Sequence, residues 1–350
     1  MDERENLIPR IRIRKRSVSI QDVADRAAVS IATVSRAVNK PHLVAAETAT
    51  RVQHAIEELG YRPNRFAQGL MTQRSGLLGM ALPDLRGEFD FEILRSADAE
   101  ARRLGYQILV SALPPHGSPS SASALAGAFG LVEGVALMAL ESDNRVPPQL
   151  SDLRLPIVGV GVSFDGATDV LLVNHASGAR AATIHLLSTT MPENCFYLGG
   201  PPHLVDSRER ADAFSACLSA AGSPPRPDQV ICNECSMAWG EHWANEVLPS
   251  RRDRTTAVLA ATDQIAYGVV RTAQGLGMSI PEQVRIVGCD GSSLASIIRP
   301  TLSTVRVPRD ELGRLAIRTL VARIEEPETP PLRVVLDTDL TVRESSALIA

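Results

Sequence analysis

Residues Ser19 to Asn39 read SIQDVADRAAVSIATVSRAVN. Ile20, Val23, Ala24 and Ala27 recur at i, i+3, i+4 and i+7, which puts them on one apolar helix face. Ser19 stands at an N-cap position, and Asp22 in the first turn suits the positive end of a helix. A break follows at Ala28-Val29. Ser30 then offers a second N-cap, and Ile31, Val34 and Val38 repeat at helical spacing. Two short helices joined by a few residues, the second with Thr33, Ser35, Arg36 and Asn39 on its polar side, make the pattern of a helix-turn-helix. An ordinary helical hairpin at a domain edge shares that pattern, because the motif alone is degenerate.

The next stretch narrows the reading. Val52, Ala55, Ile56 and Leu59 predict a third amphipathic helix, stopped by Gly60 with Pro63 close behind. Three helices in about fifty residues can close a small core. Tyr61 to Leu70, YRPNRFAQGL, has the length for one or two further helical turns. The run DVADRAAVSIATVSRAVN, this YRPNRFAQGL and the order of later elements resemble the lactose-repressor (LacI/GalR) family of bacterial transcription regulators. The likeness extends from Ser17 to Arg343.

The charge of the whole chain is −4, which alone argues against a nucleic-acid binder. Its distribution argues the other way. Residues 1–75 hold 13 Lys and Arg against 8 Asp and Glu, a net of +5, and the remainder carries −9. A basic head on an acidic body fits a protein that meets DNA at one end. Arg10, Arg12, Arg14, Lys15 and Arg16 crowd one run, which reads as a solvated, disordered tail with some attraction for phosphate.

No stretch of apolar residues is long enough to span a bilayer, so no membrane partner is expected. The charged N-terminus without an apolar core predicts no secretory leader. Five scattered cysteines suit a reducing cytoplasm rather than a disulfide framework. Cys232-Asn233-Glu234-Cys235 is a CxxC, but a structural zinc site needs a second ligand pair and only His242 is near in sequence. We read the spacing as chance, and expect no metal and no cofactor.

From Gly76 onward short apolar runs alternate with helical patterns. Leu77–Leu82, Tyr106–Ala112, Gly134–Ala139 and Pro156–Val162 read as buried strands, with helices over Ile93–Leu104 and Ser120–Phe129. A second series starts near Val173: helix Ser177–Leu187, strand Cys195–Leu198, helix Ser207–Ala221, strand Gln229–Ile231 and helix Ala238–Leu248. Strand Ala257–Ala260, helix Gln264–Gln274 and strand Val284–Gly288 complete it. Strands alternating with helices mean parallel sheets covered on both faces, and two series mean two α/β lobes. The resemblance implies more than spacing does. It implies three crossings between the lobes, as in a periplasmic sugar-binding protein, with residues near 307–323 returning to the first lobe and the chain end to the second.

The expected fold class is therefore α/β: an N-terminal all-α helix-turn-helix head joined by a hinge to a two-lobe, periplasmic-binding-protein-like body with parallel sheets. The boundaries are a tail over 1–16, a head over 17–63, a hinge over 64–75 and a body over 76–345. Within the body, the first lobe takes about 76–173 plus 307–323 and the second about 174–306 plus 324–345.

The body carries no GxxxxGK[ST], HExxH, GxSxG or strand-to-helix GxGxxG. Its histidines, like those of the head, are dispersed without metal spacing. Ligands of open α/β sheets bind beyond the carboxyl ends of the strands, so polar residues just past strand ends are candidates. These are Asp84, Thr262, Asp263, Asp290 and, in the next helix, Arg210. Any one of them could instead cap backbone. Arg210, Asp290 and Thr262 match positions that contact the effector in the resembling family, and Asp84 and Val173 join the expected effector set. Arginine forks two donors toward a hydroxyl or carboxylate, and Asp accepts from sugar hydroxyls.

The departures from the family pattern bear on the ligand. Gly161 stands where an Asp is usual at the end of the fourth strand, Val173 where an aromatic is usual, and Thr189-Thr190-Met191-Pro192 replaces Leu-Gly-His. In the head, Ala28 replaces the turn Gly, at a cost of about 1 kcal/mol if positive φ is needed. Ala45 replaces a capping Ser, a loss of about 1 kcal/mol. Gly69 inside the hinge costs about 1 kcal/mol relative to Ala, which suggests a hinge that orders on DNA.

The resemblance implies a dimeric, ligand-responsive repressor without enzymatic activity. Ile31, Ala32 and Arg36 would face base edges, and Ser30, Thr33, Ser35 and Asn39 phosphates. Thr48, Asn64 and Ala67 complete the DNA set, with Leu70 as an apolar wedge in the minor groove. The expected partners are a pseudo-palindromic double-stranded operator, a small sugar-like or anionic effector and a second copy of the chain. A stand-alone sugar-binding protein, or a two-lobe enzyme with an incidental helical head, is the competing reading.

Overall fold

The computed structural model describes residues 18–39, 41–61, 74–82, 88–112, 129–138, 154–161, 163 and 169–347. The chain forms two compact units, Met1–Ser75 and Gly76–Ala350. The tail over 1–16, the helix expected at Ser120–Phe129 (but for Phe129) and most of the hinge over 64–75 lie outside the described residues.

The first unit is built from α1 (Ile20–Ala27), α2 (Ile31–Asn39) and α3 (Ala46–Leu59). Ser19 and Asp22 close a capping box at the start of α1: the Ser19 backbone N–H donates to Asp22 Oδ2 at 2.7 Å, and the Asp22 N–H donates to Ser19 Oγ at 3.3 Å. Ala28 ends α1 in the left-handed region, at φ 52° and ψ 49°. The turn therefore retains the conformation that a glycine favours, with an alanine in it. Gly60 ends α3 at φ 63°, and Ala45 supplies no side-chain cap at its start. Val23, Ala24, Ala27, Val34, Val52 and Ala55 make the buried core of the three helices.

The second unit holds two six-stranded sheets. The first lobe begins with β1 (Leu77–Leu82), α4 (Glu88–Arg103), β2 (Gln107–Ala112), β3 (Val135–Met138), β4 (Ile157–Val160) and β5 (Asp169–Asn174). The second follows with α5 (His175–Leu187), β6 (Cys195–Gly199), α6 (Val205–Ala220), β7 (Val230–Cys232), α7 (Met237–Val247), β8 (Thr256–Ala260), α8 (Asp263–Gly275), β9 (Val284–Asp290) and β10 (Ser303–Arg306). The chain then runs through α9 (Arg309–Glu325), β11 (Arg333–Asp337) and β12 (Asp339–Thr341). Strand order is β11-β5-β4-β3-β1-β2 in the first sheet, all parallel, and β12-β10-β9-β8-β6-β7 in the second. Only β12 runs antiparallel, against β10, at an edge that local spacing does not reveal.

The three crossings fall at Asn174–His175, Val307–Pro308 and Asp337–Thr338. This corrects one boundary: residues from 324 were expected in the second lobe, yet β11 pairs with β5 in the first. A buried carboxylate holds it there. Asp169, 1% exposed, accepts both arms of the Arg323 guanidinium at 2.9 and 2.7 Å and the Leu332 N–H at 2.7 Å. An Asp buried so fully needs such partners, and meeting them lays 333–337 beside β5. The return to the second lobe therefore comes at 338.

At the junction the strands stack on the first turn of α5. Gly178 donates its N–H to Thr338 Oγ1 at 2.9 Å, and a Cβ there would collide with Val305 and Thr338. Glycine is required by this close approach rather than by its dihedrals.

Candidate functional site

On α2 the buried side is Val34, with Ala37 and Val38 packed beside it. Ile31 shares the helical spacing of Val34 and Val38 but was expected to face base edges with Ala32 and Arg36; it is 43% exposed, on the same open side as those two. An exposed aliphatic at the first turn of this helix has no partner in its own core, and suits contact with a methyl group on a base edge. Arg36 makes no ion pair among the described residues, so its fork of donors is open to guanine or phosphate. Ser30 accepts from the Thr33 N–H at 3.2 Å, and its hydroxyl lies 2.9 Å from that of Thr33. Ser30 therefore serves as a cap while staying exposed, and Thr33 is half-buried. Ser35 and Thr48 are half-buried, and Asn39 is the last residue of α2. Arg26 and Glu58, both exposed and 2.5 Å apart, link α1 to α3 by a surface ion pair. Asn64, Ala67 and Leu70 lie outside the described residues.

In the body, the carboxyl ends of β6, β8 and β9 bring Arg210, Thr262 and Asp290 to one face of the second lobe. Arg210 is only 3% exposed. Its Nη1 donates to Asp206 Oδ2 at 3.0 Å and to the Ala261 carbonyl at 2.7 Å, and its Nη2 lies 3.0 Å from His175 Nδ1. The guanidinium is thus largely committed within the protein. Burial raises the Asp206 carboxyl, but the Arg210 cation and His175 outweigh it and hold it below the usual carboxylate range. Burial, then the Arg210 charge, press His175 down to about 3, so its ring is neutral and accepts the guanidinium proton at Nδ1.

Asp290 is different. It ends β9 at φ 113°, a backbone state that only glycine adopts without strain. Its carboxyl makes no hydrogen bond among the described residues. Burial pushes it up to about 8, with Arg210 opposing and Asp263 and Asp206 adding to the rise. Asp290 thus combines a strained backbone with a carboxyl that has no hydrogen-bond partner among the described residues, beside a cluster of charges.

Thr262 caps α8, accepting from the Ile265 N–H at 3.2 Å, and Asp263 is buried with bonds from Thr304 Oγ1 at 2.6 Å and the Ser292 N–H at 2.7 Å. For Thr262 the capping alternative describes what the side chain does, whereas Asp263 ties the start of α8 to β10 and to the segment after β9. Val173 is buried in the core of the first lobe, and Asp84 lies outside the described residues. Arg309, at the second crossing, is 3% exposed and joins the lobes. It donates to the Gly291 carbonyl at 2.8 Å, while its Nε stands 2.9 Å from Glu92 Oε2 of α4. That second contact is an attraction of charges rather than a well-aligned hydrogen bond. Cys232 and Cys235 are free, and no metal-holding cluster occurs among the described residues.

A helix-turn-helix over three buried helices, followed by two lobes with three crossings, invites comparison with known proteins. The model of bacterial regulatory proteins of the lacI family matches residues 19–64, and that of the periplasmic binding protein-like domain matches 183–346. The HTH-type transcriptional regulator CelR of Thermobifida fusca is 30% identical over 95% of this chain and 99% of its own. The chain belongs to the lacI family.

The ribose operon repressor of Halalkalibacterium halodurans is 28% identical over 94% of this chain and 97% of its own length. Among solved structures, the lac repressor dimer bound to operator and the anti-inducer ONPF superimposes with a TM-score of 0.83, at 25% identity over 95% of this chain and 100% of that one. A CelR–cellobiose complex has a TM-score of 0.68 at 29% identity over 94% and 99%. This lacI-family chain is a DNA-binding transcriptional regulator with a periplasmic-binding-protein-like body.

His175, Asp206, Glu92 and Arg309 were not singled out in the sequence. Asp206 and Arg210 are an i, i+4 pair on one helix, and that spacing was a usable signal. The other three carried none, because their partners lie far along the chain.

Proposed function

We propose that this lacI-family regulator is a repressor that binds a pseudo-palindromic operator as a homodimer in the cytoplasm. A small polar ligand between the lobes would set its affinity. The observation that carries the reading is the open face of α2, where Ile31, Ala32 and Arg36 are exposed together on a helix locked to its neighbours. In this reading Arg36 reads a base edge and Ser30, Thr33, Ser35 and Asn39 hold phosphates. Thr48, Asn64, Ala67 and Leu70 complete the DNA contacts.

The ligand would meet Asp290, whose carboxyl has no internal partner among the described residues, while Arg210 serves mainly to set the charge around it. A ligand that favours one angle between the lobes changes the spacing of two heads, a coupling commonly of about 1–3 kcal/mol. The body assigns no reaction: His175 Nδ1 is already engaged by Arg210. Selecting bound fragments from genomic DNA, with and without a panel of sugars and nucleosides, tests this. A shared two-fold motif whose recovery changes with one compound is expected. Recovery without any common sequence would overturn it.

A further inference from the structure

Gly199, the last residue of β6, and Gly200 after it each have a cysteine sulfur where a side chain would otherwise sit. A Cβ on Gly199 would collide with Cys232 Sγ, and one on Gly200 with Cys235 Sγ. The two Cβ positions share a neighbour, Ser207 Oγ, at 3.3 and 3.7 Å. Consecutive Cα atoms are only about 3.8 Å apart, so both sulfurs rest on one small patch of backbone.

The connection between β7 and α7 brings them there. Cys232 ends β7 and lies opposite Gly199 in the sheet register. The Asn233 N–H donates to the Gly199 carbonyl at 3.1 Å and the Glu234 N–H to Asn233 Oδ1 at 2.9 Å. The next bend sets Cys235 over Gly200, and Ser236 then caps α7. Both thiols are free and exposed. No third donor joins them in a metal-holding cluster among the described residues, so they do not make a zinc site. A spacing that reads as chance in the sequence is a paired arrangement in the fold.

We propose that Cys232 and Cys235 are a reversible dithiol–disulfide pair, oxidised by a low-molecular-weight disulfide. One cysteine, as thiolate, attacks a sulfur of that disulfide and releases its first half. The other cysteine then attacks the mixed disulfide, closes the Cys232–Cys235 bond and releases the second half. The two cysteine protons end on the two released thiols, and the two electrons lost by the pair reduce the small disulfide. In a reducing compartment the dithiol is the resting form, and such disulfides are transient.

Burial raises both thiols, Cys235 to about 11 with Asp206 adding to the rise. A disulfide is strongly oxidising when its reduced form is stabilised as a thiolate. That stabilisation is missing here, so the closed pair resists reduction, and exchange is slow because little thiolate is present at neutral pH. Ser207 Oγ donates to the Gly200 carbonyl at 3.0 Å, one residue from Asp206, so closure acts on the same end of β6 as the charged cluster.

Equilibration of the full chain in buffers of set reduced-to-oxidised glutathione ratio, followed by acid quenching, alkylation and mass spectrometry, tests this. The peptide carrying both cysteines should lose two hydrogens at the oxidising end, while the buried Cys195, Cys217 and Cys289 stay reduced. Because the fold holds the sulfurs together, the native chain should close the bond at a ratio about tenfold or more reducing than the same chain in concentrated urea. Cys232→Ser and Cys235→Ser should each abolish the two-hydrogen loss. Both side chains are exposed, so the unfolding midpoint of the reduced protein should not move. The proposal is overturned by thiols that stay alkylatable, by thiols that each keep a glutathione without closing, or by closure no easier in the native than in the unfolded chain.

Discussion

The Arg210 guanidinium lies 3.0 Å from Nδ1 of His175, the first residue after the chain passes from one lobe to the other. One buried cation thus ties the crossing to Asp206 and to the Ala261 carbonyl at the end of β8. The pair links the first crossing between the lobes to the charged side chains at the carboxyl ends of the second-lobe strands.

A pH dependence follows. His175 has a native pKa of about 3 against an ordinary value of 6.5. The unfolded chain binds a proton in that interval that the native chain refuses, so this residue costs stability as pH falls from 6.5 to 3. Denaturant titrations of wild type and His175→Asn between pH 7 and 4 should show the variant losing less stability on acidification. Parallel curves would refute the assignment.

Asp290 has the opposite sign. Its native pKa near 8 exceeds the ordinary 3.8, so the native state is the better proton binder. The stability this contributes is complete below pH 3.8 and is lost as pH rises through 8. Asp290→Asn should flatten that decline in urea melts across pH 5 to 9. Asp290→Gly should also relieve the strain of φ 113°, stabilising the fold while abolishing any ligand response.

Arg210→Ala should behave as a folding defect before it behaves as a ligand defect. It strips Asp206, His175 and the Ala261 carbonyl of a shared partner at a site 3% exposed. A loss of about 3–5 kcal/mol is expected. Equilibrium unfolding at neutral pH measures it, and a loss below about 1 kcal/mol would mean the guanidinium is there for a ligand.

In the head, Arg36→Ala should cost about 1–3 kcal/mol per half-site and relax preference at one base position. Titration against operator variants separates this from a phosphate contact, which would weaken every sequence alike.

Ala28→Gly should stabilise the head by about 1 kcal/mol, since φ 52° is costly for a residue with a Cβ. Slower amide hydrogen exchange in α1 and α2 is the readout. Unchanged exchange would mean the turn relaxes around alanine.

Much of the fold was legible in the sequence because the relevant forces are local. The caps at Ser19 and Ser30, the stop at Gly60 and the alternation of strand and helix all act within a few residues of one another. The family followed from those same runs. The tertiary structure decided what depends on distant partners. Asp169 and Arg323, 154 positions apart, place β11 in the first sheet, against the expected boundary. Arg210 meets His175 and Ala261 from 35 and 51 positions away, which turns an expected ligand contact into an internal strut. Asp290 is left with its backbone strained and, among the described residues, no hydrogen bond to its carboxyl, a state that no neighbouring residue encodes. Burial and charge are properties of what surrounds a side chain, and those surroundings exist only once remote segments of the chain have packed together.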